Sequence, residues 1–365
     1  MSTRQKRGLS DGARGTGALA CVLMALLSTA WIIRDLNIAE QPADVWWAWL
    51  GEAQRPAEFT AWATSALDPL LVLGALGAAA AALRAASSVA SGALIALAAG
   101  TALLRLPLLW VLGAGWLQGL ESGLTGRARL TAGAQLALAV ILAVVVATGR
   151  RPDGSEDRAL RGVTRTAYGV VHRLPYDDPD EVPGRPRRGP AVALGLLLGA
   201  AGLAIAAWEL HWSLRLGWGT YRKGLLGDAS VFRALLQPPL HWQMAALALL
   251  ALGAAAAALR QASWARPAAM AAGALLFAQA AGVLVFAGGT GQLDRFPALP
   301  GQARLELGTA LLVAVAGLAA LVVAARPGVP DGGPEEDGAQ GYGASPEAER
   351  PQHAPPPPST LPPGW

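Results

Sequence analysis

LGAAAAALRAAS, at residues 76–87, returns almost unchanged as LGAAAAALRQAS at residues 252–263. Eleven of the twelve positions match, across a spacing of 176 residues. A second pair of blocks keeps nearly the same register, because GRARLTAG at 126–133 matches GQARLELG at 301–308 at a spacing of 175. Alanine runs are weak matches in an alanine-rich chain, and shared low complexity is the alternative. Two matched blocks at a near-constant spacing favour a tandem repeat.

The composition indicates a membrane protein. Of 365 residues, 53% are hydrophobic and 15% are charged. The charges fall in clusters, and the gaps between clusters are about as long as a membrane-spanning helix, roughly 20 residues. A soluble core would instead spread its charges along amphipathic helices or alternating strands. We therefore predict an all-α integral membrane protein with eight transmembrane helices, at residues 17–33, 63–83, 89–112, 129–148, 191–208, 240–259, 267–286 and 305–325.

These helices form two parallel four-helix repeats, with short interfacial helices between them. The predicted organisation is a cytoplasmic N-terminus (1–15), a first repeat (16–151), a cytoplasmic linker (152–188), a second repeat (189–326) and a disordered, Pro-rich cytoplasmic tail (327–365). Four spans per repeat is an even number, so both halves enter the bilayer in the same direction. The predicted symmetry axis then runs along the membrane normal, as in transporters with parallel repeats.

The distribution of charge predicts the orientation. Outside the tail, the side that holds both termini carries 17 basic and 8 acidic residues, whereas the other side carries 11 of each. Basic residues concentrate on the cytoplasmic side of membrane proteins. This bias predicts a multi-pass protein of the cell membrane with both termini in the cytoplasm.

Tryptophans predict contacts with the outer surface of the bilayer. Trp46 and Trp47 lie on a short helix that Asp44 can cap, and Trp212 and Trp218 lie in the corresponding loop of the second half. Indole rings with a polar N–H favour the headgroup level.

A basic helix is predicted in the linker. Apolar residues recur at helical spacing on one face, and the opposite face carries the arginines Arg158, Arg161, Arg165 and Arg173. Such a helix suits the anionic inner leaflet of the lipid bilayer. Nothing resembles a nucleic-acid module, since basic residues are not interleaved with stacking aromatics. The tail, with its run of prolines, is also a candidate docking segment for a protein partner.

No motif carries recognisable chemistry. The single cysteine, Cys21, lies in the first apolar segment, and the histidines lack the spacing of metal ligands. We therefore predict no catalytic residue, no cofactor and no metal, and we leave enzymatic activity as the least favoured class.

Six polar residues in or beside the spans are candidate contacts for a substrate or a partner: Arg105, Arg129, Arg304, Glu306, Gln135 and Gln279. Arg105 lies about 24 Å up a hydrocarbon core roughly 30 Å thick, from which its side chain can reach the outer headgroups. The favoured interpretation of the two glutamines is a hydrogen bond between helices.

Three functions are compatible with these observations. A non-enzymatic scaffold or accessory subunit is favoured, because the chain lacks chemistry. The alternative is a transporter or permease for an apolar or lipid-like small molecule, with its site at the repeat interface. The third is a membrane enzyme acting on lipid intermediates, which would need a carboxylate cluster, a histidine-based site or a nucleophile at the membrane edge. A pocket lined by Glu306 together with Arg304 and Arg129 would favour it.

Overall fold

The computed structural model is built almost entirely of helices. It describes residues 7–51, 61–85, 87–117, 122–152, 163–166, 169–172, 185–326 and 328. Its α-helices are α1 (Asp11–Ile38), α2 (Pro42–Leu50), α3 (Leu67–Arg84), α4 (Ser87–Arg105), α5 (Leu108–Val111), α6 (Ser122–Thr148), α7 (Arg188–Leu226), α8 (Leu240–Leu259), α9 (Ala265–Gly289) and α10 (Gly301–Ala325). Within the described ranges, eight helical spans are long and apolar enough to cross a membrane, with α4 and α5 together forming one of them.

Local sequence signals explain where the helices begin and end. The Ser10 side chain accepts a hydrogen bond from the N–H of Ala13 and caps α1. Proline in the first turn is compatible with a helix start, and α3 and α9 carry Pro69 and Pro267 there. Pro107 ends α4, since proline inside a helix removes one backbone hydrogen bond.

Each half folds as a ring of four helices. In the first bundle, α1 packs on α3, α3 on α4, α4 on α6, and α6 on α1. In the second bundle, α7 packs on α8, α8 on α9, α9 on α10, and α10 on α7. The same order of neighbours therefore occurs twice.

The two bundles share a densely packed seam between α4 and α9, with further contacts of α4 to α8 and of α3 to α9. A Cβ atom added to Gly92 of α4 would lie 2.6 Å from Pro267 and 2.9 Å from Trp264. Glycine is needed here because no side chain fits between the two helices. The seam leaves no room for a ligand at this point.

A second connection joins the loops at one end of the bundles. The N–H groups of Leu235 and Leu236 donate to the carbonyls of Trp62 and Ala63, at 2.9 and 2.8 Å. We call this the tryptophan end. The connecting segments and helix termini there carry Trp47, Trp62, Trp110 and Trp242.

The helix α7 differs from the prediction. Its apolar segment was expected to end at residue 208, but the helix runs on to a kink at Gly217 and then returns as far as Leu226. Gly217 has φ of 72° and ψ of 151°, a conformation that is essentially restricted to glycine. Residues 218–226, which we call the return segment, were predicted to be part of a loop. Predicting a helix from apolar residues alone missed this extension, because the extension is polar.

Two short antiparallel strand pairs complete the described structure. β1 (Arg7–Leu9) pairs with β2 (Arg150–Pro152), and β3 (Val163–Thr166) pairs with β4 (Gly169–His172). The second pair shows that a continuous basic helix through the linker, including Arg165, is wrong. Valine and threonine make up three of the four residues of β3, and β4 contains two adjacent valines. These β-branched residues favour extended backbone, which outweighs the helical spacing of the apolar residues.

Several predicted features lie outside the described residues. They are the arginines Arg158, Arg161 and Arg173, and the tail apart from Gly328. Of the predicted N-terminal segment 1–15, residues 11–15 belong to α1.

Candidate ligand-binding site

The second bundle contains a partly open cavity of about 310 Å³ near the tryptophan end. Each of its four helices contributes four lining residues. The deepest lining residue of every helix is apolar: Ile205 on α7, Leu247 on α8, Leu276 on α9 and Val313 on α10. This size and this lining are typical of sites for small molecules.

Close helix contacts shut the cavity on its deep side. A Cβ atom added to Gly317 of α10 would lie 2.7 Å from the backbone nitrogen of Phe277 and 2.8 Å from the carbonyl oxygen of Gly273. Across the bundle, a Cβ added to Gly202 of α7 would lie 2.9 Å from Leu252. Small residues let these helix pairs approach closely below the cavity. Nearer the tryptophan end, large side chains such as Trp208 occupy the same helices.

A carboxylate cluster lies on one wall. Glu209 Oε2 accepts a hydrogen bond from the hydroxyl of Tyr221 at 2.9 Å and lies 3.0 Å from Nδ1 of His241. Tyr221 belongs to the return segment, and its ring lies 4.5 Å from the His241 ring. Glu209 and His241 line the cavity, so the return segment is fastened beside it.

A second carboxylate lies on α10. Glu306 lines the cavity, and its Oε1 accepts a hydrogen bond from the amide of Gln302 at 2.9 Å. Arg215 donates in turn to the amide oxygen of Gln302. Trp208 donates to Thr309 at 3.1 Å, which joins α7 to α10 at the same level.

An amide pair completes the polar lining. The side-chain NH₂ of Gln243 donates to Oε1 of Gln279 at 2.7 Å, and Gln279 lines the cavity. Gln243 is buried, and within the described residues its Oε1 has no hydrogen-bond partner. The predicted hydrogen bond of Gln279 between helices is confirmed, and the same side chain is available to a ligand.

The interior of the first bundle holds a buried ion pair. Arg105 of α4 donates to Oδ1 of Asp68 on α3 and to the carbonyl oxygen of Leu236, and both side chains of the pair have no exposed surface. Nε of Arg105 donates to Gln135 of α6 at 2.8 Å, and Gln135 donates to Ser28 of α1 at 2.9 Å. One network thus joins all four helices of the bundle.

This network corrects the prediction for Arg105. Its side chain turns into the protein and does not reach a surface, because Asp68 supplies the opposite charge and removes the need for headgroups. The predicted role of Gln135 in hydrogen bonds between helices is confirmed. Sequence reasoning missed Asp68, although an aspartate and an arginine in neighbouring apolar helices are a recognisable candidate pair.

Asp35 fastens the end of α1 to the segment that precedes α3. Its Oδ2 accepts from the N–H of Thr64 at 2.7 Å and from the Thr64 hydroxyl at 2.6 Å, and Arg34 donates to its Oδ1 at 2.8 Å. Because the neighbouring Ala63 pairs with Leu236, this carboxylate also supports the connection between the bundles.

The remaining candidate residues are not brought together. Arg129 belongs to the first bundle, where its guanidinium lies 3.5 Å from the position that a Cβ atom on Gly113 would occupy. Arg304 is exposed. Glu306 lines the cavity without either arginine. The arrangement of these three residues that would have favoured an enzyme on lipid intermediates is not formed.

The four interface tryptophans have different environments. Trp46 and Trp218 are exposed, whereas Trp212 lines the cavity and stacks near Trp208. Trp47 packs against Gly289 of α9. Trp46 and Trp47 lie on α2, which forms as predicted. Asp44 stands in the first turn of α2 and accepts a hydrogen bond from the N–H of Gln41, so it is not the N-cap residue.

Glu209 and His241 were missed as site residues. The sequence shows a glutamate and a histidine 32 residues apart with the kinked segment between them, and no spacing rule connects them. In the described ranges, no group of three histidine, cysteine or acidic side chains is placed to hold a metal ion.

Comparison with protein-family models, with curated proteins and with solved structures finds no match to this chain. The cavity and the buried ion pair are the two features of the structure that bear on function.

Proposed function

We propose that the eight spans cross a membrane, with both termini on the cytoplasmic side. Large apolar side chains are exposed around both bundles, including Leu73, Leu130, Leu196, Leu249 and Leu305. Such exposure is costly in water and favourable in lipid. The bias of basic residues toward the terminal side supports the orientation.

We further propose that the two bundles are tandem repeats. The order of helix neighbours is the same in both. An indole N–H to threonine hydrogen bond joins the first and last helix of each bundle, from Trp31 to Thr131 at 3.0 Å and from Trp208 to Thr309 at 3.1 Å. These features add to the matched sequence blocks.

The repeat spacing relates the ion pair to the cavity. The residue 176 positions after Asp68 is Met244, and the residues 175 positions after Arg105 and Gln135 are Ala280 and Ala310. All three of these later residues line the cavity. Alanine in place of arginine and glutamine leaves space where the first bundle is filled.

That correspondence supports a binding function. We propose that the protein binds an apolar or lipid-like small molecule in the second bundle, and that the first bundle is the rigid partner on which the second is held. The single observation that carries the proposal is the cavity of about 310 Å³ lined by all four helices.

A binding or accessory role suits this cavity better than transport. The transporter hypothesis places its site between the repeats, whereas the cavity lies within one bundle and the seam at Gly92 is filled.

The test is to identify what the protein carries. The wild type, a cavity-filling variant (Ala280→Leu with Ala310→Leu) and a control (Ala207→Leu, at an exposed alanine of α7) would be purified in mild detergent and analysed by native mass spectrometry. We expect one apolar species bound to the wild type and to the control, and absent from the filled variant. The proposal is wrong if the bound species are identical in all three proteins.

A further inference from the structure

We infer that the cavity selects an apolar molecule whose head group is a protonated amine. This inference rests on the proposed function and adds the chemistry of the head group. Its basis is the balance of hydrogen-bond acceptors and donors on the cavity wall.

The charged lining is acidic. Glu209 and Glu306 contribute two carboxylates, and no lysine or arginine belongs to the lining within the described residues. Arg215 approaches Glu306 only through Gln302, and Arg304 is exposed on the same helix. A phosphate or carboxylate head group would meet like charge, with no lysine or arginine in the described lining to offset it.

Acceptor atoms are left without donors. Each carboxylate has one oxygen for which no partner occurs among the described residues, since hydrogen bonds reach Oε2 of Glu209 and Oε1 of Glu306. Gln243 lies behind the wall and does not line the cavity, so the two carboxylate oxygens are the open acceptors that a ligand would meet. A ligand that fills the cavity displaces water from these two oxygens, so a head group that brings several N–H donors replaces the lost hydrogen bonds and binds best.

The depth of the cavity fits the remainder of such a molecule. The polar lining residues Glu209, His241 and Glu306 lie nearer the helix ends than Ile205 and Leu247. An ammonium among the carboxylates would therefore leave its hydrocarbon part against the deep apolar wall. Charge-assisted hydrogen bonds between ammonium and carboxylate are about twice as strong as neutral ones.

The experiment compares three fluorescent ligands with the same alkyl chain that differ only in an amine, an alcohol or a carboxylate head. Binding is measured at neutral pH to the full-length protein in nanodiscs of zwitterionic lipid, and the filled variant Ala280→Leu with Ala310→Leu supplies the background. We expect the amine to bind about tenfold more tightly than the alcohol, as one charge-assisted hydrogen bond implies, and the carboxylate to bind most weakly.

Two variants locate the selectivity. Glu306→Gln should weaken binding of the amine about tenfold and leave the alcohol unchanged, which also shows that the cavity is intact. Asp294→Asn removes an acid from the loop between α9 and α10 that does not line the cavity, and it should change neither.

The outcomes separate the two proposals. Equal binding of all three ligands, lost in the filled variant, would overturn the choice of head group and leave the proposed function standing. Tighter binding of the carboxylate would do the same. Binding that does not differ between wild type and filled variant for any ligand would overturn both.

Discussion

The two bundles have the same order of neighbouring helices, but the interior of one is filled and the interior of the other contains a cavity. In the first, Arg105 and Asp68 meet in a network that reaches all four helices and leaves no exposed surface on either charged side chain. In the second, the residues 175 positions after Arg105 and 176 positions after Asp68 are Ala280 and Met244, and a cavity lies there.

The difference suggests a division of roles. A buried ion pair with satisfied hydrogen bonds fixes one arrangement of its helices, and breaking it is costly. A cavity forfeits packing energy, so a protein retains one at a cost in stability. We interpret the first bundle as the rigid half and the second as the half that gives up some stability for binding.

The largest effect is expected from breaking the ion pair. Arg105→Ala leaves the Asp68 carboxylate buried without its cation, and we expect a loss of about 3–5 kcal/mol in the free energy of unfolding. The measurement is an unfolding titration with sodium dodecyl sulfate in mixed micelles. The double variant Asp68→Leu with Arg105→Met should recover at least about 2 kcal/mol of this loss, since paired apolar residues can replace a buried ion pair. A double variant as unstable as the single one would contradict this account of the network.

An intermediate effect is expected below the cavity. Gly317→Ala would bring a methyl group against the backbone of α9, and we expect a loss of about 1–3 kcal/mol. Gly308→Ala on the same helix meets nothing within 4 Å, so it should be neutral or slightly stabilising. Equal effects of the two substitutions in the same titration would show that α9 and α10 do not close the cavity.

The smallest effect is local and concerns the return segment. Gly217→Ala forces a side chain into a conformation that costs on the order of 1–3 kcal/mol, without touching either bundle interior. Local opening of the return segment relieves this strain, so we expect faster cleavage by trypsin at Arg222 and Lys223 while the free energy of unfolding of the two bundles is nearly unchanged. Gly219→Ala, at a glycine with ordinary backbone and open space, is the control and should be cleaved at the wild-type rate. A Gly217→Ala protein that is cleaved no faster would argue against strain at the kink.

The sequence was sufficient to predict the spans but not the polar contacts between them. Apolar length identified all eight, and α8 begins and ends where it was predicted. A sequence pattern that predicts a helix does not say which helix faces meet. The ion pair of Arg105 and the contact of Tyr221 with Glu209 depend on tertiary packing, so the sequence pattern did not predict them. Opposite charges at matching depth in adjacent helices, Asp68 and Arg105, were the one contact that could have been inferred.

The site was harder to predict than the fold, because a cavity is a property of what is missing. Ala280 and Ala310 are unremarkable in an alanine-rich chain. They become informative only when the proposed repeat aligns them with Arg105 and Gln135. In the linker a signal was present but misleading. The helical spacing of apolar residues predicted a helix, whereas the structure has strands, which the valines and threonines there favour.

The contrast between the bundles can be measured directly by the reactivity of two engineered thiols. Ser28 and Ile205 are both buried and lie three residues before Trp31 and Trp208. In a Cys21→Ala background, Ser28→Cys and Ile205→Cys would each be exposed to a small neutral maleimide, with Ala310→Leu added to fill the cavity as a control. We predict that Ile205→Cys reacts at least about tenfold faster than Ser28→Cys and slows when the cavity is filled, as thiol reactivity follows access. Equal rates at the two positions, or no change on filling, would contradict the claim that one bundle is closed and the other holds a binding cavity.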